Sequence, residues 1–110
     1  MTTQAVSVTL IGQGENIGLT ATCTDDTFTE LKDAVGTLSL YRQAKGKTYH
    51  SFMGRYAAGG ASFRIRNTVT NKIKALEFLA LNGTLQAPLK APVTIEDNDI
   101  IEAFTEAVPT

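Results

Sequence analysis

Residues 62–69 read Ser-Phe-Arg-Ile-Arg-Asn-Thr-Val, so that apolar and polar side chains alternate. A period of two residues is that of a β-strand, whose successive side chains point to opposite faces. The pattern predicts that Phe63 and Ile65 are buried while Arg64 and Arg66 share the exposed face. A strand that is half-buried in this way is typical of an antiparallel sheet with one face in the core.

The chain on both sides of this segment shows the same alternation. Residues 6–11 and 17–23 are predicted to form a hairpin around a turn at Gly12 and Gly14, with Cys23 facing the core. Further strands are predicted at residues 38–42, 48–56 and 93–95. Strands therefore make up most of the predicted regular structure.

Two segments carry helical patterns instead. In residues 27–35, apolar side chains recur at helical spacing and Gly36 follows, which predicts a short helix. Residues 71–81 are rich in helix formers, and a helix is favoured there. The alternative is a hairpin, because Asn82 and Gly83 are a typical two-residue turn between apolar flanks.

These elements predict an α+β fold, either a strand-rich antiparallel sheet or a small OB-like barrel, with one to three short helices. At 110 residues, the chain has the usual size of one domain. We expect residues 1–95 to form that globular domain. Residues 96–110 are predicted to form a distinct acidic segment, either a free tail or a terminal helix.

Charge is segregated along the sequence. Residues 34–76 contain eight basic side chains and no acidic one, and all eleven acids lie outside this segment. The same segment holds Tyr41, Tyr49 and Tyr56 together with Phe52 and Phe63. Cationic side chains interleaved with aromatic rings are what a protein needs to bind phosphates and to stack unpaired bases.

The basic segment therefore predicts a surface for single-stranded nucleic acid. Phosphate contacts are expected from Arg42, Lys45, Lys47, Arg55, Arg64, Arg66, Lys72 and Lys74. Base stacking is expected from Tyr41, Tyr49, Tyr56 and Phe63. The alternative interpretation is structural: the charges form solvated faces, and the rings belong to the core.

The C-terminal segment carries apolar residues within an acidic stretch. Residues 96–104 read Glu-Asp-Asn-Asp-Ile-Ile-Glu-Ala-Phe. This stretch resembles the acidic, Phe-containing tail of bacterial and phage single-stranded DNA-binding proteins. The resemblance implies an OB-fold body and a tail that recruits replication partners and competes with DNA for the basic groove. It would assign partner binding to Asp97, Asp99, Ile100, Ile101 and Phe104. The alternative is an amphipathic terminal helix that packs on the sheet.

Groups suited to catalysis or metal binding are sparse. The chain has one histidine, His50, and one cysteine, Cys23, so neither a zinc site nor an internal disulfide is expected. We therefore predict a protein that is not an enzyme and needs no cofactor or metal. No apolar run is long enough to cross a membrane, and a cytoplasmic location in a cell or virus-infected cell is expected.

Two other functions stay open beside nucleic-acid binding. Because the middle of the chain is basic and its ends are acidic, subunits could pack head to tail, as in a self-assembling viral coat or tail component. A small adaptor or inhibitor of a host protein is the third hypothesis. In the preferred hypothesis the protein, of phage or plasmid origin, binds single strands without sequence preference and forms a homo-oligomer.

Overall fold

The computed structural model of the chain describes residues 3–12, 14–24, 26–56, 60–79 and 84–106. Its strands are β1 (Thr3–Gly12), β2 (Glu15–Thr24), β3 (Phe28–Leu31), β4 (Thr48–Arg55), β5 (Ala61–Asn67), β6 (Ile73–Leu79), β7 (Thr84–Thr94) and β8 (Asp99–Thr105). One helix, α1 (Leu40–Ala44), lies in the described part of the chain.

The strands form two four-stranded sheets. Sheet A has the order β2-β1-β4-β7, and sheet B has the order β3-β8-β5-β6. All the strand pairs in both sheets are antiparallel. The prediction of a strand-rich antiparallel architecture is therefore confirmed at this level, with a single short helix in the described residues.

Both sheets contribute to one hydrophobic core. Phe52 of sheet A meets Phe63 of sheet B edge-on, with ring centroids 5.0 Å apart. The alternation predicted for β5 is confirmed, because Phe63 and Ile65 are fully buried while Arg64 and Arg66 face outward. Cys23 is buried as predicted. Because each fully buried large apolar side chain contributes about 1.5–3 kcal/mol, this inter-sheet layer is what holds the two sheets together.

The predicted hairpin of residues 6–11 and 17–23 is also confirmed, and β1 and β2 pair along their whole lengths. The helix predicted at residues 27–35 is wrong, since residues 28–31 form strand β3 at the edge of sheet B. There Phe28 lies opposite Phe104, and Leu31 enters the core opposite Ile101. Cross-strand packing on β8 has overridden the helical spacing.

The strand predicted at residues 38–42 is also wrong, because helix α1 begins at Leu40. Leu40 and Ala44 are four residues apart, so they share one face of the helix, and both are buried. Strand prediction at residues 48–56 is confirmed by β4. The short strand predicted at 93–95 is the end of the much longer β7, which keeps Pro88 and Pro92 because it is an edge strand.

The favoured helix at residues 71–81 is wrong where it can be compared, because Ile73–Leu79 form strand β6 paired with β5. Individual helix propensities are worth less than about 0.7 kcal/mol per residue, so pairing and burial can outweigh them. The alternative hairpin turn at Asn82 and Gly83 lies outside the described residues.

Residues 96–110 were expected to be a tail or a helix, but residues 99–105 form neither. Strand β8 lies inside sheet B between β3 and β5. Its residues are buried on both faces apart from half-buried Phe104. A strand with neighbours on both sides and little exposure belongs to the folded body, since removing it would open sheet B.

Candidate functional site

The four aromatic residues predicted to stack bases do not form an exposed platform. Tyr49, Tyr56 and Phe63 are buried in the core, and Tyr41 is half-buried against it. Burial raises the pKa of Tyr49, and the nearby Glu15 adds to this effect. A base can stack only on a ring whose face is accessible, so these rings serve the core in this conformation.

Folding interleaves the charges that the sequence segregates. Five of the predicted phosphate-binding residues instead contact acids from the ends of the chain: Lys47 with Glu15 at 2.7 Å, Lys45 with Asp97 at 3.8 Å, Lys74 with Asp99 at 2.7 Å, and Arg64 and Arg66 with Glu102 at 3.1 and 2.7 Å. Arg42, Arg55 and Lys72 are exposed. Folding therefore pairs five of the eight predicted phosphate-binding cations with acids of the same chain.

Glu102 is the centre of a cluster on the outer face of sheet B. Its Oε1 accepts hydrogen bonds from Nε of Arg64 at 3.1 Å and from Nε of Arg66 at 2.7 Å. Its side chain is only 9% exposed. Burial disfavours the charged form, but the hydrogen bonds from Arg66 and Arg64 outweigh burial and hold the pKa of Glu102 below its usual value. The two guanidinium groups are therefore engaged within the sheet.

Asp99 forms a second cluster where β8 begins. Lys74 donates from Nζ to Asp99 Oδ2 at 2.7 Å, to Glu96 Oε1 at 2.9 Å and to the Thr94 carbonyl at 2.6 Å. Asn67 donates to Asp99 Oδ1 at 2.9 Å. Burial opposes ionisation of the fully buried Asp99, but Lys74 and the other donors outweigh it and hold its pKa below the usual value. This cluster ties β6 to the connection between β7 and β8.

Most of the residues predicted to bind protein partners are also buried or paired within the chain. Asp99, Ile100 and Ile101 are buried, and Asp97 is exposed but pairs with Lys45. Phe104 is half-buried on the outer face of sheet B, with its ring centroid 5.0 Å from that of Phe28. Only Asp97 and Phe104 among this set have substantial contact with solvent.

A different group of residues, which sequence reasoning missed, is exposed and apolar. Ile73, Leu76 and Phe78 follow one another along β6, and their exposed fractions are 43%, 43% and 74%. Phe78 and Phe104 both lie opposite Ser62, one on each side of β5, so the outer face of sheet B is crossed by a row of rings. The spacing of two residues between Leu76 and Phe78 could have revealed them, but these residues were assigned to the predicted helix.

The four sheet edges are protected to different degrees. Thr20 of β2 and Lys32, the residue after β3, are joined by a pair of backbone hydrogen bonds at 2.8 and 3.1 Å. Strand β7 carries Pro88 and Pro92, and its Lys90 N–H donates to Glu77 Oε2 at 3.2 Å. Prolines and side-chain caps are common ways to block an edge. Within the described ranges, β6 has no backbone partner on the side away from β5.

Two small grooves lie between the free edges of β6 and β7. One, of about 270 Å³, is lined by Ile73, Leu76 and Glu77 of β6 and by Lys90 and Ala91 of β7. The other, of about 240 Å³, lies between Lys72–Lys74 and Pro92–Thr94. Each groove is smaller than the roughly 300–1,000 Å³ usual for small-molecule sites. On the β6 side, the two grooves together are lined by residues 72–77.

Comparison with known proteins returned no relatives. No family model, no curated protein and no solved structure matches the chain. In the residues that the structure describes, no helix is long and apolar enough to span a membrane. In the same residues, no cluster of three or more histidine, cysteine or acidic side chains is arranged to hold a metal ion.

Proposed function

We propose that the protein is a structural subunit that associates with copies of itself through strand β6 and the adjoining outer face of sheet B. The observation that carries this proposal is the exposure of Ile73, Leu76 and Phe78 on an edge strand that has no described backbone partner on its side away from β5. Long apolar edge strands are avoided in monomeric proteins because they pair with other chains. Retention of such an edge favours a partner that covers it.

The proposal keeps the self-assembly hypothesis but changes its physical basis. The sequence suggested head-to-tail attraction between a basic middle and acidic ends, whereas the described ion pairs join those regions within one chain. Burial of apolar surface then drives association, with main-chain hydrogen bonds at the edge. A coat or tail component of a virus is one kind of assembly that such a subunit would suit.

The predicted OB-like barrel would require the two sheets to be joined along both of their sides. Thr20 of β2 and Lys32 after β3 already connect the two sheets on one side, whereas β6 and β7 face each other across the grooves without backbone pairing in the described residues. A closed barrel would also need backbone pairing between β6 and β7.

Binding of single-stranded nucleic acid stays a prediction, and buried rings and paired cations lend it little support. Its test is titration of a fluorescent oligothymidylate at two salt concentrations, in which phosphate contacts would weaken steeply as salt rises. The adaptor or inhibitor hypothesis likewise stays a prediction, and no particular contact favours it.

The test of self-association is sedimentation velocity of the whole chain over a wide range of concentrations. The wild-type protein is expected to shift to larger species as concentration rises. Phe78→Lys places a charge at the edge and removes the burial of a ring, worth about 1.5–3 kcal/mol, so it should weaken association at least about tenfold.

Val69→Lys is the matched control. Val69 lies in the turn between β5 and β6 and is 72% exposed, close to the 74% of Phe78, so the variant adds the same charge at an equally exposed apolar site. It should associate like the wild type. A wild-type chain that stays monomeric at every concentration, or equal weakening in both variants, would contradict the proposal.

A further inference from the structure

The geometry points to a specific arrangement of that association, and we propose it on the basis of the function above. Strand β6 pairs antiparallel with β6 of a second copy, with Leu76 opposite the partner's Leu76. The two B sheets then form one eight-stranded sheet across a two-fold axis. In such an isologous interface the same surface serves both subunits, so the assembly closes as a dimer at this edge.

Strand β6 suits a copy of itself for electrostatic reasons. Its seven residues carry one cation, Lys74, and one anion, Glu77, so two such strands meet without net charge. Lys74 is also turned toward Asp99 and Glu96 of its own chain, which leaves no cation on β6 to repel the partner. An edge strand normally carries outward charges to prevent self-pairing, and β6 lacks them.

Facing of side chains limits the possible registers. From Ala75 to Leu79, side chains on β6 alternate between the groove side, where Ala75 and Glu77 lie, and the outer face, where Leu76 and Phe78 lie. The register against β5 shifts between Ile73 and Ala75, and Lys74 there turns toward Asp99. In an antiparallel pair, directly opposite residues share a face, so a slip of one residue would place apolar outer side chains opposite groove-side ones. Only registers that differ by two residues keep the faces matched.

Among those registers, the one centred on Leu76 is favoured. It matches the faces of Ala75, Leu76 and Glu77 in the two copies and places Glu77 opposite the partner's Ala75. The register centred on Glu77 puts Glu77 opposite the partner's Glu77. Like charges directly opposite each other are destabilising. The register centred on Ala75 leaves Phe78 beyond the partner's β6, although it is the most exposed ring of the strand.

The residues of β5 and β8 that lie beside Leu76 in sheet B are consistent with the register centred on Leu76. Arg64 of β5 lies opposite Leu76 of β6, and Glu102 of β8 lies opposite Arg64. The paired Leu76 residues are therefore flanked on both sides by an ion pair that is already formed within each chain. The dimer axis passes through apolar surface, and no buried charge is left without a partner there.

Disulfide trapping tests the register directly. In the proposed dimer, Leu76→Cys faces its own copy at a Cα separation of about 4.5–5.5 Å, which a disulfide can span. Phe78→Cys is the matched control on the same face, because two copies of residue 78 would be four residues apart along the pair, about 14 Å. The wild-type chain, whose single Cys23 is buried, sets the background.

Mild oxidation followed by non-reducing electrophoresis should give a covalent dimer as the main product of Leu76→Cys, and only background dimer from Phe78→Cys and wild type. Equal cross-linking of both variants, or preference for Phe78→Cys, would overturn the register. Absence of any cross-link in a wild-type preparation that associates in the ultracentrifuge would also reject the register but leave the proposed function standing. Monomers throughout would remove both.

Amide hydrogen exchange provides a second measurement that needs no substitution. Backbone N–H groups on the free edge of Ile73–Leu79 should become protected as protein concentration rises, because they gain partners in the other copy. The amides of β7, which are blocked by prolines and side chains, should not change. Concentration-dependent protection of β7 in place of β6 would overturn the inference.

Discussion

Strands β6 and β7 are both edge strands and face each other across the same grooves, yet they are built in opposite ways. Strand β7 contains two prolines, its register against β4 is interrupted, and side chains of β6 contact its backbone at Lys90 and Thr94. Strand β6 contains no proline and exposes three apolar side chains. The proposed self-association through β6 rests on this contrast, because an edge without prolines or outward charges can pair with another chain.

Under the proposed function, the two sides of β6 have separate roles. Its groove-side polar residues, Lys74 and Glu77, hold the neighbouring strand, and its outer residues, Leu76 and Phe78, are free. Substitutions on one side should therefore change stability, and substitutions on the other should change association. That separation is what the following variants test.

The largest loss of stability is expected from Lys74→Met. The change removes the cation from the fully buried Asp99 and leaves its carboxylate with two hydrogen-bond donors, from Asn67 and the Glu96 backbone. Breaking a buried ion pair by removal of one partner typically lowers the free energy of unfolding by about 3–5 kcal/mol. Urea denaturation measures this loss.

Lys72→Met is the control for that variant. Lys72 is exposed, lies two residues away and has the same side chain, so its replacement should change the free energy of unfolding by less than about 0.5 kcal/mol. If Lys72→Met were as destabilising as Lys74→Met, the cluster around Asp99 would not be what joins β6 to the connection between β7 and β8.

Acid is expected to produce the next largest effect, through the two carboxylates of β8. The pKa values of Asp99 and Glu102 are lower in the folded protein than in the unfolded chain. Their contribution is therefore complete above the unfolded values, about 3.9 for Asp and 4.3 for Glu, and is lost as pH falls through the lower folded values. The free energy of unfolding should be nearly constant between about pH 5 and 7 and fall below about pH 4.

The variant Glu102→Gln distinguishes the contribution of Glu102 to stability from that of the cluster around Asp99. It should lower the free energy of unfolding at neutral pH by about 1.5–3 kcal/mol, since it replaces charged hydrogen bonds from Arg64 and Arg66. It should also make the acid transition shallower. An acid transition that is unchanged in Glu102→Gln would assign the whole pH dependence to other groups.

The sequence predicted the strands whose alternation is decided locally and failed where distant pairing decides. Phe63 and Ile65 were correctly placed because one buried face leaves a period of two in the sequence. Residues 73–79 were not, because Ala75, Leu76 and Glu77 are good helix formers, and only their pairing with β5 makes them a strand. The residues proposed as the interface were hidden by the same error.

Charge illustrates a second limit of the sequence. The acids that neutralise Arg64, Arg66 and Lys74 lie about 25–40 residues away in the chain and reach them only because β8 lies beside β5. A linear count of charges therefore suggested a basic surface that folding divides into ion pairs. Local composition gave the number of charged groups but not their neighbours, which depend on strand order.

The smallest effect is expected from the side chain that β6 offers to β7. Glu77→Ala removes the acceptor for the Lys90 N–H, and a single hydrogen bond of this kind contributes about 0.5–1.5 kcal/mol. Glu77→Gln is the matched variant, because its carbonyl oxygen can still accept. Amide exchange at Lys90 should become faster in Glu77→Ala but stay near the wild-type rate in Glu77→Gln. Equal exchange rates in all three proteins would mean that Glu77 does not protect β7, and the contrast between the two edges would then depend on the prolines and the irregular register alone.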